Sequence, residues 1–239
     1  VNADIYENWT DVSGFLMADP RIVENPKPIE RITYKELREL SYMGAGVLHE
    51  DAVFPVREVN IPINIRNTNE PENPGTIISD TPSPTQNIIT GVAGRKDFVV
   101  IALYKNMMNS EIGFVKRLLT ILENNDISFE HLPSGIDTVC VIISEKQLEG
   151  KMQDLLYDIE KRLKPDSIDI YQDMALIATV GLGMSRRLGV SATLFGALTE
   201  ADVNVRMIDQ GSSEMNIIVG VENDQFEAAI RAIYGAFVS

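Results

Sequence analysis

The pattern of residues 98–143 returns at 174–219. Gly113 answers to Gly189, Leu118 to Leu194, Leu122 to Leu198, Asp126 to Asp202 and Gly135 to Gly211, at one spacing (189 − 113 and 211 − 135 both give 76). On this reading the register between the copies never slips. Solenoid repeats run at roughly 20–50 residues, so a longer period marks the duplication of a whole small domain. Paired copies of a small α/β unit hold ligands where the sheets and loops of neighbours meet. The pattern therefore points toward sensing before catalysis.

Within the first copy, FVVIALY (98–104) reads as a strand, and Val115, Leu118, Leu119 and Leu122 fall on one helical face. A strand is expected from Ile127, a turn at Gly135, then the strand TVCVII. Leu148, Met152, Leu155, Leu156 and Ile159 mark a second helix, and 167–171 a last strand. The order is βαββαβ, a ferredoxin-like split unit. The second copy repeats it with strand 175–181, helix 190–201, strands 203–209 and 214–221, and helix 225–237. It then stops one strand short, and an open sheet edge invites aggregation. IITGVA (88–93) lies ahead of the first copy and is the natural filler. The first copy is then inserted inside the second, with 88–94 closing the second sheet.

Ahead of the duplication, Thr33 and Glu36 have capping-box spacing, predicting a helix that runs to about Leu48. Ile61, Ile63 and Ile65 alternate with polar neighbours, as a half-buried strand does. From Asn67 to Gln86 four prolines, a glycine and several Asn, Ser and Thr suggest a linker or long surface connection. The division expected is 1–80, a linker and closing strand over 81–97, then 98–173 and 174–239. A net charge of −14 opposes a nucleic-acid or anionic-membrane partner, since both need a basic face. The lone Cys140, set between Val139 and Val141, fits a reducing, cytoplasmic setting and a buried, inert thiol. No run approaches the ~20 apolar residues of a membrane span. The chain opens at Val1 without a methionine and reads as a piece of a longer protein.

Three ordered stretches carry a family likeness: WTDVSGFLMADPRIV (9–23), SYMGAGVLHEDAVFPV (41–56) and IPINIRNTNEPENPGT (61–76). Together with the duplication they resemble the C-terminal half of an aspartate kinase. The resemblance implies an α/β (α+β) chain. It comprises the closing part of an amino-acid-kinase domain and two ferredoxin-like ACT domains, the first inserted in the second. It implies a parent enzyme that makes 4-phospho-L-aspartate from ATP (with Mg in the full enzyme) and L-aspartate. That is the first step toward lysine, threonine and methionine. The family's N-terminal lysine–glycine–glycine motif is absent, so no catalytic residue is assigned here, no metal ligand either, and the piece alone is expected to be inactive. A stand-alone amino-acid sensor with two ACT domains and no catalysis is the alternative; residues 9–23 argue against it.

By the same likeness Thr10, Asp11, Leu16, Arg21 and Val47 lie against the nucleotide. A hydroxyl, a carboxylate acceptor and a cation suit ribose, amine and phosphate groups. Asp11 and Asp19-Pro20-Arg21 could equally shape turns. Gly46 stands where many relatives carry a nucleotide-contacting lysine, and His49 reads as a packing or helix-end histidine. For a free amino acid, amides near a helix N-terminus suit the carboxylate and an acidic side chain suits the ammonium. The resemblance places Met107, Ser110, Gly113, Phe114, Val115, Ser128, Phe129, Glu130 and Ser134 around such an effector, lysine and/or threonine. Core packing for Met107, Phe114 and Phe129, with Glu130 solvated, is the other reading. In the second copy Arg206 stands at the position of Glu130 and would repel an ammonium. The first copy is thus expected to bind effector and the second to make contacts in a homodimer or tetramer.

Overall fold

Helix α1 (Tyr34–Tyr42) begins where the capping box sets it. Thr33 Oγ1 accepts from the Glu36 amide at 3.3 Å, while the Glu36 carboxylate accepts from the Thr33 amide at 3.0 Å. The helix ends at Tyr42, where Met43 caps it and Gly44 adopts φ +103°. Glycine enters that left-handed region without strain from a Cβ, which suits it to a helix end; the expected continuation to Leu48 lies outside the described residues. The computed structural model describes residues 3–44, 55–82 and 87–238; Gly46, Val47 and His49 lie outside them.

Around α1 stands a four-stranded sheet in the order β1 (Tyr6–Thr10), β5 (Ile63–Asn67), β6 (Thr76–Ser79), β4 (Arg31–Thr33). A two-stranded ribbon of β2 (Phe15–Leu16) and β3 (Pro28–Ile29) accompanies it. The expected linker over 67–86 is corrected here, because β6 lies inside it and in the sheet's interior. Pro71, Pro74 and Gly75 build the turn that brings β6 back antiparallel to β5. Thr76 is fully buried and satisfied: its Oγ1 accepts from the Phe15 amide at 2.8 Å and donates to the Ile29 carbonyl at 2.6 Å. Composition signalled a loop because a four-residue strand is too short to show a period.

The chain divides into two units, residues 96–175 and residues 1–95 with 176–239. Strands β7 (Gly91–Tyr104) and β9 (Ser167–Val180) are each 14 residues long, and each is divided between the units. In the unit 96–175 the order is β9, β7, β8 (Thr138–Ser144), with β8 antiparallel to β7. Helices α2 (Phe114–Asn124) and α4 (Met152–Leu163) pack together over that sheet, and α3 (Glu145–Leu148) is a single turn between β8 and α4. Ile101, Leu103, Leu118, Val139, Leu155 and Ile159 are wholly buried there. Each such side chain contributes roughly 1.5–3 kcal/mol by leaving water.

In the other unit the order is β10 (Met207–Asp209), β11 (Asn216–Glu222), β9, β7, covered by α5 (Val190–Glu200) and α6 (Phe226–Val238). The Thr90 amide donates to the Val180 carbonyl at 2.7 Å, so the strand preceding the first copy closes the sheet of the second. One ferredoxin-like unit is thus nested in the other, as the missing strand required.

The duplication repeats down to single hydrogen bonds. The amide of Arg117 donates to Gly113 O at 3.0 Å, and Thr193 to Gly189 O at 2.9 Å. Ile127 donates to Leu122 O at 3.0 Å, and Val203 to Leu198 O at 2.9 Å. Beyond the turn, however, the register slips by two. His131 faces Ile142 in the first copy, while its equivalent Met207 faces Gly220 in the second (220 − 142 is 78). The second copy's turn, around Gly211, is longer by that amount. A surface turn absorbs two residues at little cost, whereas a helix or strand pointed at the core cannot. The strand expected from Ile127 is reduced to two bridges, at His131 and Ser134.

Candidate functional site

The residues expected around an effector lie in the unit 96–175, on the loop between β7 and α2, in the first turn of α2 and on the edge segment 128–134. Lys105 donates its amide to Asp137 O at 2.8 Å, and Asn109 to Ile136 O at 3.2 Å, which ties the loop to the turn before β8. The Asn106 amide is held by the Asp166 carboxylate at 2.7 Å. Met107 adopts φ +59° and is exposed, while the adjacent Met108 enters the core. Gly113 caps α2 at φ +80° and Gly189 caps α5 at φ +86°. The first turn of such a helix presents amides that lack intrahelical acceptors, a setting for a carboxylate. The Arg117 guanidinium bonds the Glu111 carboxylate and donates to the Ile112 carbonyl at 3.3 Å, closing one flank of that turn.

Of the expected lining, Met107, Ser110, Gly113, Ser128, Phe129 and Ser134 are exposed, and Val115 and Glu130 half-buried. Phe114 is different: only 2% exposed, its ring belongs to the core, and its amide donates to Glu111 O at 3.2 Å. The packing alternative therefore describes the Phe114 ring. The rest divide into two groups. Ser134 pairs with Val139, which faces Leu103, at the end of β7 where the loop leaves. The Glu130 amide instead donates to Ile142 O at 2.8 Å, and Ile142 faces Val100. Three residues along β7 separate the groups by about 10 Å at the rise of a strand.

At the sister position the backbone repeats and the charge reverses. The Arg206 amide donates to Gly220 O at 2.8 Å as Glu130 does to Ile142, yet its guanidinium meets the Glu222 carboxylate at 2.8 Å. A cation already paired there makes a poor seat for an ammonium.

Of the residues expected against a nucleotide, Thr10, Asp11, Leu16 and Arg21 lie in the other unit. Thr10 ends β1; its hydroxyl donates to Asp11 at 3.1 Å and its carbonyl accepts from the Thr68 amide at 2.8 Å. Asp11 is exposed, as is Leu16 on β2. Arg21 is committed locally, its guanidinium forking onto Asp19 with contacts of 2.6–3.1 Å. The hydrogen bond from Arg21 holds the Asp19 carboxyl below its ordinary range and raises the guanidinium in turn. The Asp19 carbonyl also accepts from the Ile22 and Val23 amides at 3.0 and 2.9 Å, so Asp19-Pro20-Arg21 shapes a turn, as the local reading allowed. Cys140, expected to be buried, is half-buried, and that partial burial pushes its thiol up. Among the described residues no three His, Cys, Asp or Glu side chains gather into a metal site, and no helix is long and apolar enough to cross a membrane.

Sequence reasoning passed over a second role for Glu36. Beyond its capping box, this carboxylate accepts from Thr90 Oγ1 at 2.6 Å and from the Leu182 amide at 3.0 Å. Those partners are distant in sequence, so spacing could not have revealed them.

The amino acid kinase family matches residues 1–67 and the ACT domain matches residues 177–237. Aspartokinase 3 of Bacillus subtilis is 40% identical over 99% of the chain and 52% of its own length. The crystal structure of Clostridium acetobutylicum aspartate kinase, described as an allosteric enzyme, superposes with a TM-score of 0.95 at 57% identity, over 99% of this chain and 55% of that one. Along nearly its whole length the chain is similar to aspartokinases. Escherichia coli aspartokinase III, 25% identical, superposes with TM-scores of 0.84 in its complex with aspartate and ADP and 0.81 in its complex with lysine and aspartate. In both cases 99% of the chain is covered, against 53% and 52% of the E. coli protein. The chain thus spans about half the length of these aspartokinases, and the half it spans is C-terminal kinase segment plus ACT domains.

Proposed function

We propose that this chain is the regulatory half of an aspartate kinase: it completes the nucleotide side of the kinase domain and carries the feedback sensor for lysine and/or threonine. The parent reaction is attack of the L-aspartate side-chain carboxylate on the γ-phosphorus of ATP. The bond from that phosphorus to the bridging oxygen breaks, and 4-phospho-L-aspartate and ADP leave. Phosphoryl transfer needs positioning and charge neutralisation more than covalent help. Thr10 and Asp11 offer a hydroxyl and a carboxylate for nucleotide contacts. Arg21, already bound to Asp19, brings little net charge to the phosphates. Val47 retains its nucleotide role as part of this proposal. The reading assigns no metal ligand to the chain; Mg2+ would accompany the ATP phosphates and balance their charge.

The observation that carries the regulatory reading is the contrast between sister positions. Glu130 stands where Arg206, paired with Glu222, stands in the second copy, on the same backbone hydrogen bond. At that position the first copy presents a carboxylate to an ammonium and the second a guanidinium. Effector bound between paired first copies would then shift the enzyme between two states for which its affinity differs. The parent works in the cytoplasm as a homodimer or tetramer, with this contact among its interfaces.

Calorimetry of the chain with lysine, threonine, methionine and ATP tests the proposal. Binding of lysine or threonine is expected, and Glu130→Ala should weaken it by about tenfold, as loss of a charge-assisted contact does. Silence from both amino acids, or indifference to the Glu130 change, refutes the effector assignment.

A further inference from the structure

The unit 96–175 is joined to the rest of the chain through two covalent stems, β7 on the way in and β9 on the way out. Thr90 lies just ahead of β7 and Leu182 just after β9. Both donate to one atom: Glu36 Oε1 accepts from Thr90 Oγ1 at 2.6 Å and from the Leu182 amide at 3.0 Å. The other oxygen, Oε2, is occupied by the Thr33 amide and hydroxyl at 3.0 and 2.7 Å. The carboxylate is thus buried and bonded on both oxygens, with Glu36 only 5% exposed.

We propose that Glu36 is the positioning residue through which the inserted ACT domain acts on the kinase segment. This rests on the regulatory reading above and adds the route. A buried carboxylate held by four neutral donors is a high-stakes arrangement, because losing a donor leaves charge uncompensated in a low-dielectric interior. A shift of either stem along its strand therefore strains the same group. The strain falls on α1, whose first turn Glu36 caps. Two neighbouring bonds lock the same helix and segment to the stems' surroundings. Asn216 Nδ2 on β11 donates to Glu39 at 2.7 Å, and the Val92 amide on β7 donates to Met17 O at 2.7 Å. These bonds hold one stem or its sheet, whereas Glu36 holds both stems at one atom.

The test uses the full-length enzyme containing this chain, with lysine and threonine as probes. Glu36→Gln keeps the shape but offers an amide nitrogen where an acceptor is needed; Thr90→Val removes one stem's bond and leaves the capping box intact. Both variants should keep the uninhibited kcat and KM. The effector concentration for half inhibition should rise about tenfold in Glu36→Gln and about threefold in Thr90→Val, a usual span for allosteric coupling. Hydrogen exchange in the isolated chain should quicken at residues 88–92 and 181–184 in Glu36→Gln. Wild-type inhibition midpoints in both variants, or unchanged exchange at both stems, overturn the inference while the regulatory reading stands. A wild-type enzyme that neither amino acid inhibits overturns the regulatory reading, and the inference falls with it.

Discussion

Changing Gly113 and Gly189 to alanine turns the duplication into its own control. Both glycines cap a helix in the left-handed region, at φ +80° and φ +86°. A Cβ built at Gly113 comes no nearer than 3.7 Å, to Arg117 Nη1, and one at Gly189 meets nothing within 4 Å. Neither substitution therefore clashes, and the cost is backbone strain alone. Holding an L-residue in that region costs about 1–2 kcal/mol. The stiffer unfolded chain does not offset this, because that gain requires a compatible native conformation. Each variant should thus lose about 1–2 kcal/mol in urea unfolding, in the unit that carries it. Asparagine, which tolerates the left-handed region, should recover most of the loss. Function should separate the pair: lysine affinity falls about tenfold in Gly113→Ala, a step worth about 1.4 kcal/mol, and is unchanged in Gly189→Ala. Losses above about 3 kcal/mol would mean a clash the geometry lacks. Equal damage to lysine binding from both variants would refute the division of labour between the copies.

Leu118→Ala and Leu194→Ala, both fully buried, should each cost about 2–5 kcal/mol by cavity formation. Chemical denaturation checks this, and a loss below 1 kcal/mol at either site contradicts the packing. Asp19, lowered by its bond to Arg21, should titrate below 3.8 by carboxyl NMR and return toward that value in Arg21→Ala. With its folded pKa depressed, its stabilisation is present above the unfolded value and is lost as pH falls through the folded one. Cys140 has its thiol pKa raised above 9.0 by burial, so iodoacetamide should label it slowly at neutral pH in the folded chain. Its folded form holds a proton the unfolded form releases, so stability should decline as pH climbs through that range. Rapid labelling of folded protein counts against the burial.

Much of this architecture was legible in one dimension because it depends on local chemistry. Thr33 and Glu36 announce a helix start through their own side chains. Leu118 and Leu122 mark a core face because helical periodicity places them together. Failures came where distance in sequence hides contact in space. β6 lies in a segment of turn-forming residues, and four residues carry no period; only pairing with β5 and β4 makes it a strand. The Phe114 ring is likewise taken by a core that only the fold assembles, whereas the pairing of Arg21 with Asp19, two residues away, was open to a local reading.

Residue types at a fixed interval suffice for the doubled unit, the absent last strand and the charge reversal between Glu130 and Arg206. The fold bears out that the second sheet takes its strand from before the first copy, and it alone reveals that the copies' register shifts after the turn and that Glu36 bonds residues beside both stems of the inserted unit. These depend on hydrogen bonds between segments far apart along the chain. Such pairings carry no signature in local composition, because they are made mostly by backbone amides and carbonyls that nearly every residue carries.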